Sequence, residues 1–162
     1  MNIAIIGIGN VGLITGACFA HVGNRVICYD VDLKKIKNLK NGKIDIYDYG
    51  LDKLVLHNLD SNLFFSSNIK EAVEKSDVIF LTVGTPMSQD GSTNMDYIYA
   101  AANNVGRYIN SKKLIVTKST IPVGETYKIK EIIELQIKNR GDKINFDIAN
   151  NPEFLKEGKA IS

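Results

Sequence analysis

Gly7, Gly9 and Gly12 close the run Ile3-Ala4-Ile5-Ile6-Gly7-Ile8-Gly9-Asn10-Val11-Gly12 at the spacing G-x-G-x-x-G. Glycines so placed serve a backbone that must turn tightly and lie close to a ligand. Gly7 permits the turn, Gly9 lets a pyrophosphate approach the main chain, and Gly12 lets the following helix lie against the preceding strand. Asn10 precedes and Val11 opens that helix, whose N–H groups would face an anion. The spacing alone is a weak signal; a strand before it and a helix after it supply the context that gives it weight. A dinucleotide loop also needs an acid about 20 residues further on, to bond the adenosine ribose and repel a 2′-phosphate. Asp30 lies 18 residues beyond Gly12, at the end of the second apolar run. Asp32 is then left to cap the next helix. Lys34 and Lys35 follow in its first turn, where they would soften the preference against NADP, and Lys35 is counted among the cofactor residues. The implied ligand is NAD.

Other reactive side chains are few. Cys18 falls in a helical pattern among Ala17, Phe19 and Ala20, and Cys28 lies inside a strand pattern. Both read as small core hydrophobes. His21, near a helix C-terminus, fits the dipole there, and His57 lies in a polar helical stretch. No group of His, Cys and carboxylates has metal-ligand spacing, so no metal is expected.

These residues need a frame, and the pattern supplies one. Strands are expected at Asn2–Ile6, Arg25–Tyr29, Leu63–Phe65, Val78–Thr82, Leu114–Thr117 and Phe146–Ala149. Helices are expected near Val11–Val22, Leu33–Leu39, Leu51–Asn58, Ile69–Glu74, Met95–Tyr108 and Glu125–Lys138. Continuous apolar strands such as VIFLTV imply burial on both faces, as in a parallel sheet covered by helices. The alternation predicts an α/β fold: a Rossmann-like, doubly wound parallel sheet of about six strands with helices on both faces. All three prolines, Pro86, Pro122 and Pro152, fall just past a strand end. In such sheets the ligand crevice lies outside the carboxyl ends of the strands.

At 162 residues the chain fits one domain. Hydrophobic residues make up 44% and charged residues 23%, the proportions of an ordinary globular protein. A net charge of +2, without a basic block, excludes the usual signature of a nucleic-acid or anionic-membrane binder. No apolar run approaches the roughly 20 residues that span a bilayer. No secretory leader is read at the N-terminus and two cysteines make no disulfide framework, so a cytoplasmic location is expected.

Three further stretches are more specific than the glycine loop: Val83-Gly84-Thr85-Pro86, Lys118-Ser119-Thr120-Ile121-Pro122-Val123-Gly124, and Asn151-Pro152-Glu153-Phe154-Leu155-Lys156-Glu157-Gly158. In this order the chain resembles, over all 162 residues, the NAD-binding domain of the UDP-glucose/GDP-mannose dehydrogenase family. Within that family the wording is nearest the members that oxidise UDP-glucose. Ile46-Tyr47 and Gly50-Leu51 are similar to the family's I-Y-E-P-G-L, with Asp48 and Tyr49 in place of Glu and Pro. Asn10 stands where the family usually has Tyr.

The resemblance implies an NAD-dependent, two-step oxidation of UDP-glucose to UDP-glucuronate through an enzyme-bound thioester. It places Val83, Gly84 and Thr85 on the cofactor and Ser119 and Thr120 beside the nicotinamide. Thr120 would hold the catalytic water and Glu153 would activate or position it. Glu157 would bind on the nicotinamide side, and the 153–157 segment, with Phe154, Leu155 and Lys156, would line the sugar nucleotide. Taken without the motif, Ser119 and Thr120 are equally ordinary turn hydroxyls, and Glu153 and Glu157 the exposed face of a terminal helix. In the family the nucleophilic cysteine and the dimer contacts come from a later domain. This chain is therefore expected to be the N-terminal part of a longer, homodimeric enzyme, to be weakly associating or monomeric by itself, and to bind cofactor without turnover. The alternatives are the same domain of a GDP-mannose or UDP-N-acetylmannosamine dehydrogenase, a free-standing dinucleotide-binding module, or a hydroxyacyl-type dehydrogenase on the same fold.

Overall fold

The structure is a computed structural model and describes residues 1–161. Six parallel strands, β1 (Asn2–Ile6), β2 (Arg25–Tyr29), β3 (Leu63–Ser66), β4 (Val78–Leu81), β5 (Lys113–Thr117) and β6 (Phe146–Asn150), form one sheet in the order β3-β2-β1-β4-β5-β6. Six helices connect them: α1 (Asn10–His21), α2 (Leu33–Lys40), α3 (Leu51–Asn58), α4 (Ile69–Glu74), α5 (Asp96–Tyr108) and α6 (Glu125–Asn139). The expected elements all form, with ends shifted by one residue at most. Chain order reverses between β1 and β4, and this reversal is where an open α/β sheet leaves its crevice.

Successive residues of a strand face opposite sides of a sheet, and β1 shows why its sequence is apolar from Ile3 to Ile6. Ile3 and Ile5 enter the core beneath α1, α2 and α3, with Leu13, Ala17, Ile36 and Val55. Ala4 and Ile6 enter the other core, beneath α4, α5 and α6, with Ala72, Ile98, Val105 and Ile133. Both faces of the sheet are thus closed by this chain's own helices, so the domain carries its own core.

Local chemistry sets the helix ends. The Asp32 carboxylate accepts the Lys35 N–H at 3.0 Å and starts α2, as its position predicts. Asn68 caps α4 in the same way through the Glu71 N–H. At the end of α1, Gly23 adopts φ +91° and donates to the Ala20 carbonyl at 3.0 Å.

One strand end departs from the expected bounds. Strand β5 begins at Lys113 rather than Leu114, and Lys113 is only 4% exposed. Its ammonium donates to the carbonyls of Glu74 and Ser76 at 3.3 and 2.5 Å. Burial holds its pKa below the usual lysine range, against the opposing charges of Asp77 and Glu74. Residues 151–157 are not helical, so Glu153 and Glu157 do not share a helix face, which removes the alternative open to them without the motif.

Candidate cofactor site

The glycine loop, Asp30 and the loops that follow β4, β5 and β6 meet at the carboxyl edge of the sheet, and a two-lobed cleft opens there across the β1/β4 reversal. One lobe, of about 330 Å³, lies over the β1, β2 and β4 ends. Tyr29, Val31, Ile69, Tyr97 and Ala101 give it apolar walls, and Asp30 and Lys35 sit at its polar rim. The other, of about 300 Å³, is lined by Asn10, Thr85, Lys118, Ser119, Thr120, Glu153 and Glu157. Gly9, Thr82, Val83 and Gly84 line both. The volumes are at the lower end of small-molecule sites, and the two lobes meet over Gly9 and the β4 end. A hollow of about 520 Å³ beside residues 44–53 is larger, but the glycine loop, Asp30 and the Ser119-Thr120 pair do not line it.

The three glycines meet three different constraints. Gly7 has φ +101°, and a Cβ there would lie 2.9 Å from the Val83 backbone. At Gly12 a Cβ would lie 1.9 Å from the Gly7 carbonyl oxygen. At Gly9 a Cβ would meet nothing within 4 Å. Gly7 and Gly12 are therefore required by the fold, while the space over Gly9 is open for a ligand. Helix α1 begins with no side-chain cap and no acid in its first turn, which leaves its N–H groups for an anion. Thr82 braces the loop from below, its hydroxyl 2.7 Å from the Gly7 carbonyl oxygen.

This contrast gives a selective prediction. Gly9→Ala will lower stability by no more than about 1 kcal/mol, the cost of a poorer N-cap, yet weaken NAD binding at least about tenfold because the methyl takes the pyrophosphate's place. Thermal melting and calorimetric titration of the same variant separate the two effects; equal affinity in the variant would remove Gly9 from the site.

Asp30 is 8% exposed. Its Oδ2 accepts the Ile8 N–H at 2.9 Å and the Lys35 ammonium at 3.0 Å, and its Oδ1 accepts the Asp32 N–H at 3.0 Å. Burial by itself would push its pKa up; the two backbone N–H groups and Lys35 outweigh burial and hold the carboxyl below the usual range. An ionised carboxylate has about four acceptor positions. Three are taken here, so Oδ1 has one left for a ribose hydroxyl.

In the second lobe the hydroxyls mostly hold loops together. Ser119 is buried, with its hydroxyl 2.6 Å from the Val83 carbonyl oxygen. Thr85 donates to the Thr120 carbonyl at 2.9 Å. The β4 and β5 loops are thereby joined as one rim, and Thr120 is left exposed in the cavity wall. Glu153 turns its carboxylate onto the backbone N–H of Leu155. Glu157 accepts from the Asn10 side-chain amide at 3.3 Å, so Asn10 joins the glycine loop to the chain after β6. Phe154, Leu155 and Lys156 line neither lobe: Leu155 packs on the core and Phe154 is 91% exposed.

The apolar wall made by Val31, Ile69 and Tyr97 was missed in the sequence. Its signal was slight: each sits within a turn of an element end at the carboxyl edge.

A sequence model of the UDP-glucose/GDP-mannose dehydrogenase family, NAD binding domain, matches residues 1–162. The chain belongs to the UDP-glucose/GDP-mannose dehydrogenase family. It is that family's NAD-binding domain, and its ligand is NAD. Among curated members of the family, UDP-glucose 6-dehydrogenase TuaD of Bacillus subtilis is 48% identical over 99% of this chain and 34% of its own length. The UDP-glucose 6-dehydrogenase of Rhizobium meliloti is 43% identical over 99% of this chain and 36% of its own. Among solved structures, a UDP-glucose dehydrogenase from Pyrobaculum islandicum superposes with a TM-score of 0.90 at 36% identity, covering 99% of this chain and 37% of that one. A GDP-mannose dehydrogenase from Pseudomonas aeruginosa gives 0.90 at 33%, covering 99% and 38%. The chain thus spans about a third of the length of the curated family members it matches.

Proposed function

We propose that this chain is the cofactor-binding third of a cytoplasmic UDP-glucose 6-dehydrogenase, and that it binds NAD without oxidising sugar nucleotide alone. The observation that carries the reading is the convergence, in one cleft at the β1/β4 reversal, of the open space over Gly9, the ionised Asp30 and the rim bearing Thr120, Glu153 and Glu157. The two curated relatives at 48% and 43% identity, both named as UDP-glucose 6-dehydrogenases, favour UDP-glucose over GDP-mannose. Two unpaired cysteines fit a reducing compartment.

In this reading Gly9, Asn10, Val11 and Gly12 hold the pyrophosphate on the α1 N-terminus, and Asp30 with Lys35 holds the adenosine ribose. Val83, Gly84, Thr85 and Ser119 shape the nicotinamide end, and Glu157 closes it from the far side. Thr120 and Glu153 face the space beyond, where a water would be held by the hydroxyl and deprotonated by the carboxylate. The 153–157 backbone lies where a sugar nucleotide would pass. When bound, NAD supplies the two-electron acceptor for each of the two oxidation steps.

The thioester needs a thiolate nucleophile, and neither cysteine suits it. Cys28 is fully buried in β2, where burial drives its thiol pKa far up. Cys18 sits in α1, raised first by burial and then by the charge of Asp48. Titration with NAD should give one site per chain, while NAD plus UDP-glucose should give no NADH. Turnover by the 162-residue chain would overturn the division of labour. Formation of NADH from GDP-mannose but not from UDP-glucose, by the protein with its downstream sequence, would overturn the substrate.

A further inference from the structure

Asp48 is a carboxylate on a loop, yet it is only 5% exposed. Its two oxygens point into the backbone of the chain after β6. The Ala160 N–H donates to Oδ1 at 3.1 Å and to Oδ2 at 3.0 Å, and the Ile161 N–H donates to Oδ1 at 3.4 Å. Next door the Tyr49 N–H donates to the Gly158 carbonyl at 3.3 Å. The side chains of Leu155, Ala160 and Ile161 pack on the same core as Ile46 and Leu54.

The path between these contacts gives them meaning. After β6 the chain is pinned where the Asn151 N–H donates to the Thr117 carbonyl at 2.9 Å. It then crosses the carboxyl edge without regular structure, presenting Glu153 and Glu157 to the cleft. It turns at Gly158, φ +81°, where Lys159 N–H donates to the Lys156 carbonyl at 3.0 Å, and arrives at Asp48. Glu153 and Glu157 therefore sit on a span held at both ends. The span meets the glycine loop through the exposed Asn10–Glu157 contact at 3.3 Å, too weak by itself to order a segment of this length.

We propose that Asp48 is a positioning residue for the cofactor cleft, its buried carboxylate clamping the Ala160–Ile161 backbone and so fixing the span that carries Glu153 and Glu157. Asp48 touches neither lobe; it acts through the backbone it holds. The proposal rests on the NAD reading above, and its test keeps the two apart. Amide exchange at Ala160 and Ile161, NAD affinity and thermal melting are measured in the 162-residue wild type, Asp48→Asn and Asp48→Glu. Asparagine keeps the oxygen shared by the Ala160 and Ile161 N–H groups but sets an N–H₂ against the Ala160 N–H, which reaches both oxygens, whereas glutamate keeps both oxygens.

The clamp requires Asp48→Asn to speed exchange at the two amides at least about tenfold and weaken NAD binding about fivefold, with Asp48→Glu restoring most of both. Unchanged exchange in Asp48→Asn overturns the clamp. Faster exchange with unchanged NAD affinity also overturns it, since the carboxylate would then be structural only. So would a glutamate variant as impaired as the asparagine one. If the wild type itself fails to bind NAD, the cofactor reading falls instead, and the exchange measurement still accepts or rejects the anchor.

Discussion

Gly12→Ala is expected to lower the melting temperature by about 6–12 °C and to abolish measurable NAD binding. The added Cβ would lie 1.9 Å from the Gly7 carbonyl oxygen, 3.1 Å from the Gly7 carbonyl carbon and 2.9 Å from the Thr82 hydroxyl. The first two are backbone atoms, which cannot rotate aside as a side-chain end can. Overpacking a well-filled site costs about 1–3 kcal/mol and occasionally more; contact with main chain at this distance puts the cost at about 3 kcal/mol or above. Relief can come only from moving α1 off β1 or the Gly7 turn off Thr82. Either movement displaces the N–H groups that face the cleft, so affinity falls with stability. The pair Gly9→Ala and Gly12→Ala thus separates two roles within one loop: the first loses ligand and keeps the fold, the second loses both. A Gly12→Ala protein that melts within about 2 °C of wild type would show that the helix–strand approach is looser than the geometry requires.

How far the sequence could be read depended on whether the responsible interactions were local. The strands were legible because both sheet faces are buried, which makes β4, and β1 and β2 after their first residues, apolar without interruption. Asp30 and Asp32 could be told apart because a cap and a strand-end acid have different neighbours within five residues, and the structure gives Asp32 the Lys35 N–H and Asp30 the Ile8 N–H. The prolines marked the carboxyl edge because they stop strands there. What stayed hidden joins residues far apart in the chain. Nothing near Asn10 announces Glu157, 147 residues on, and nothing near Asp48 announces Ala160. Lys113 fell one residue outside the expected β5. Lysine is read as a surface residue, yet the carbonyls of Glu74 and Ser76 converge on its ammonium and allow its burial. The stretch after β6 could be read without its motif as a helix face from the four-residue spacing of its glutamates, but its long-range bonds run to Thr117, Asp48 and Tyr49.

Asp30→Ala should reduce NAD affinity by about 10- to 100-fold and narrow the preference for NAD over NADP at least tenfold. The first figure follows from removing a charged acceptor for a ribose hydroxyl, worth about 1.5–3 kcal/mol where the partner is ionised. The second follows from charge: a 2′-phosphate meets the Asp30 carboxylate in the wild type, but in the variant it meets Lys35, now released from its 3.0 Å ion pair. Titration of both proteins with both nucleotides reads the two effects together, and an unchanged NAD-to-NADP ratio would remove Asp30 from the ribose site. The variant will also be less stable, because the Ile8 and Asp32 N–H groups lose their acceptor. The pH dependence of that loss is fixed in sign. Asp30 titrates below its ordinary value of 3.8 in the folded protein, so its ionised form is favoured by folding. Its contribution is complete above the unfolded value and disappears as pH falls through the lower folded one. Melting curves should therefore show the wild-type advantage over Asp30→Asn constant between about pH 6 and 8 and shrinking below about pH 4. An advantage that grew on acidification would mean that burial, not the Ile8, Asp32 and Lys35 bonds, governs this carboxylate. The same three bonds that hold it ionised also aim its remaining acceptor position at the cleft, so ribose recognition and acid sensitivity have a single structural cause.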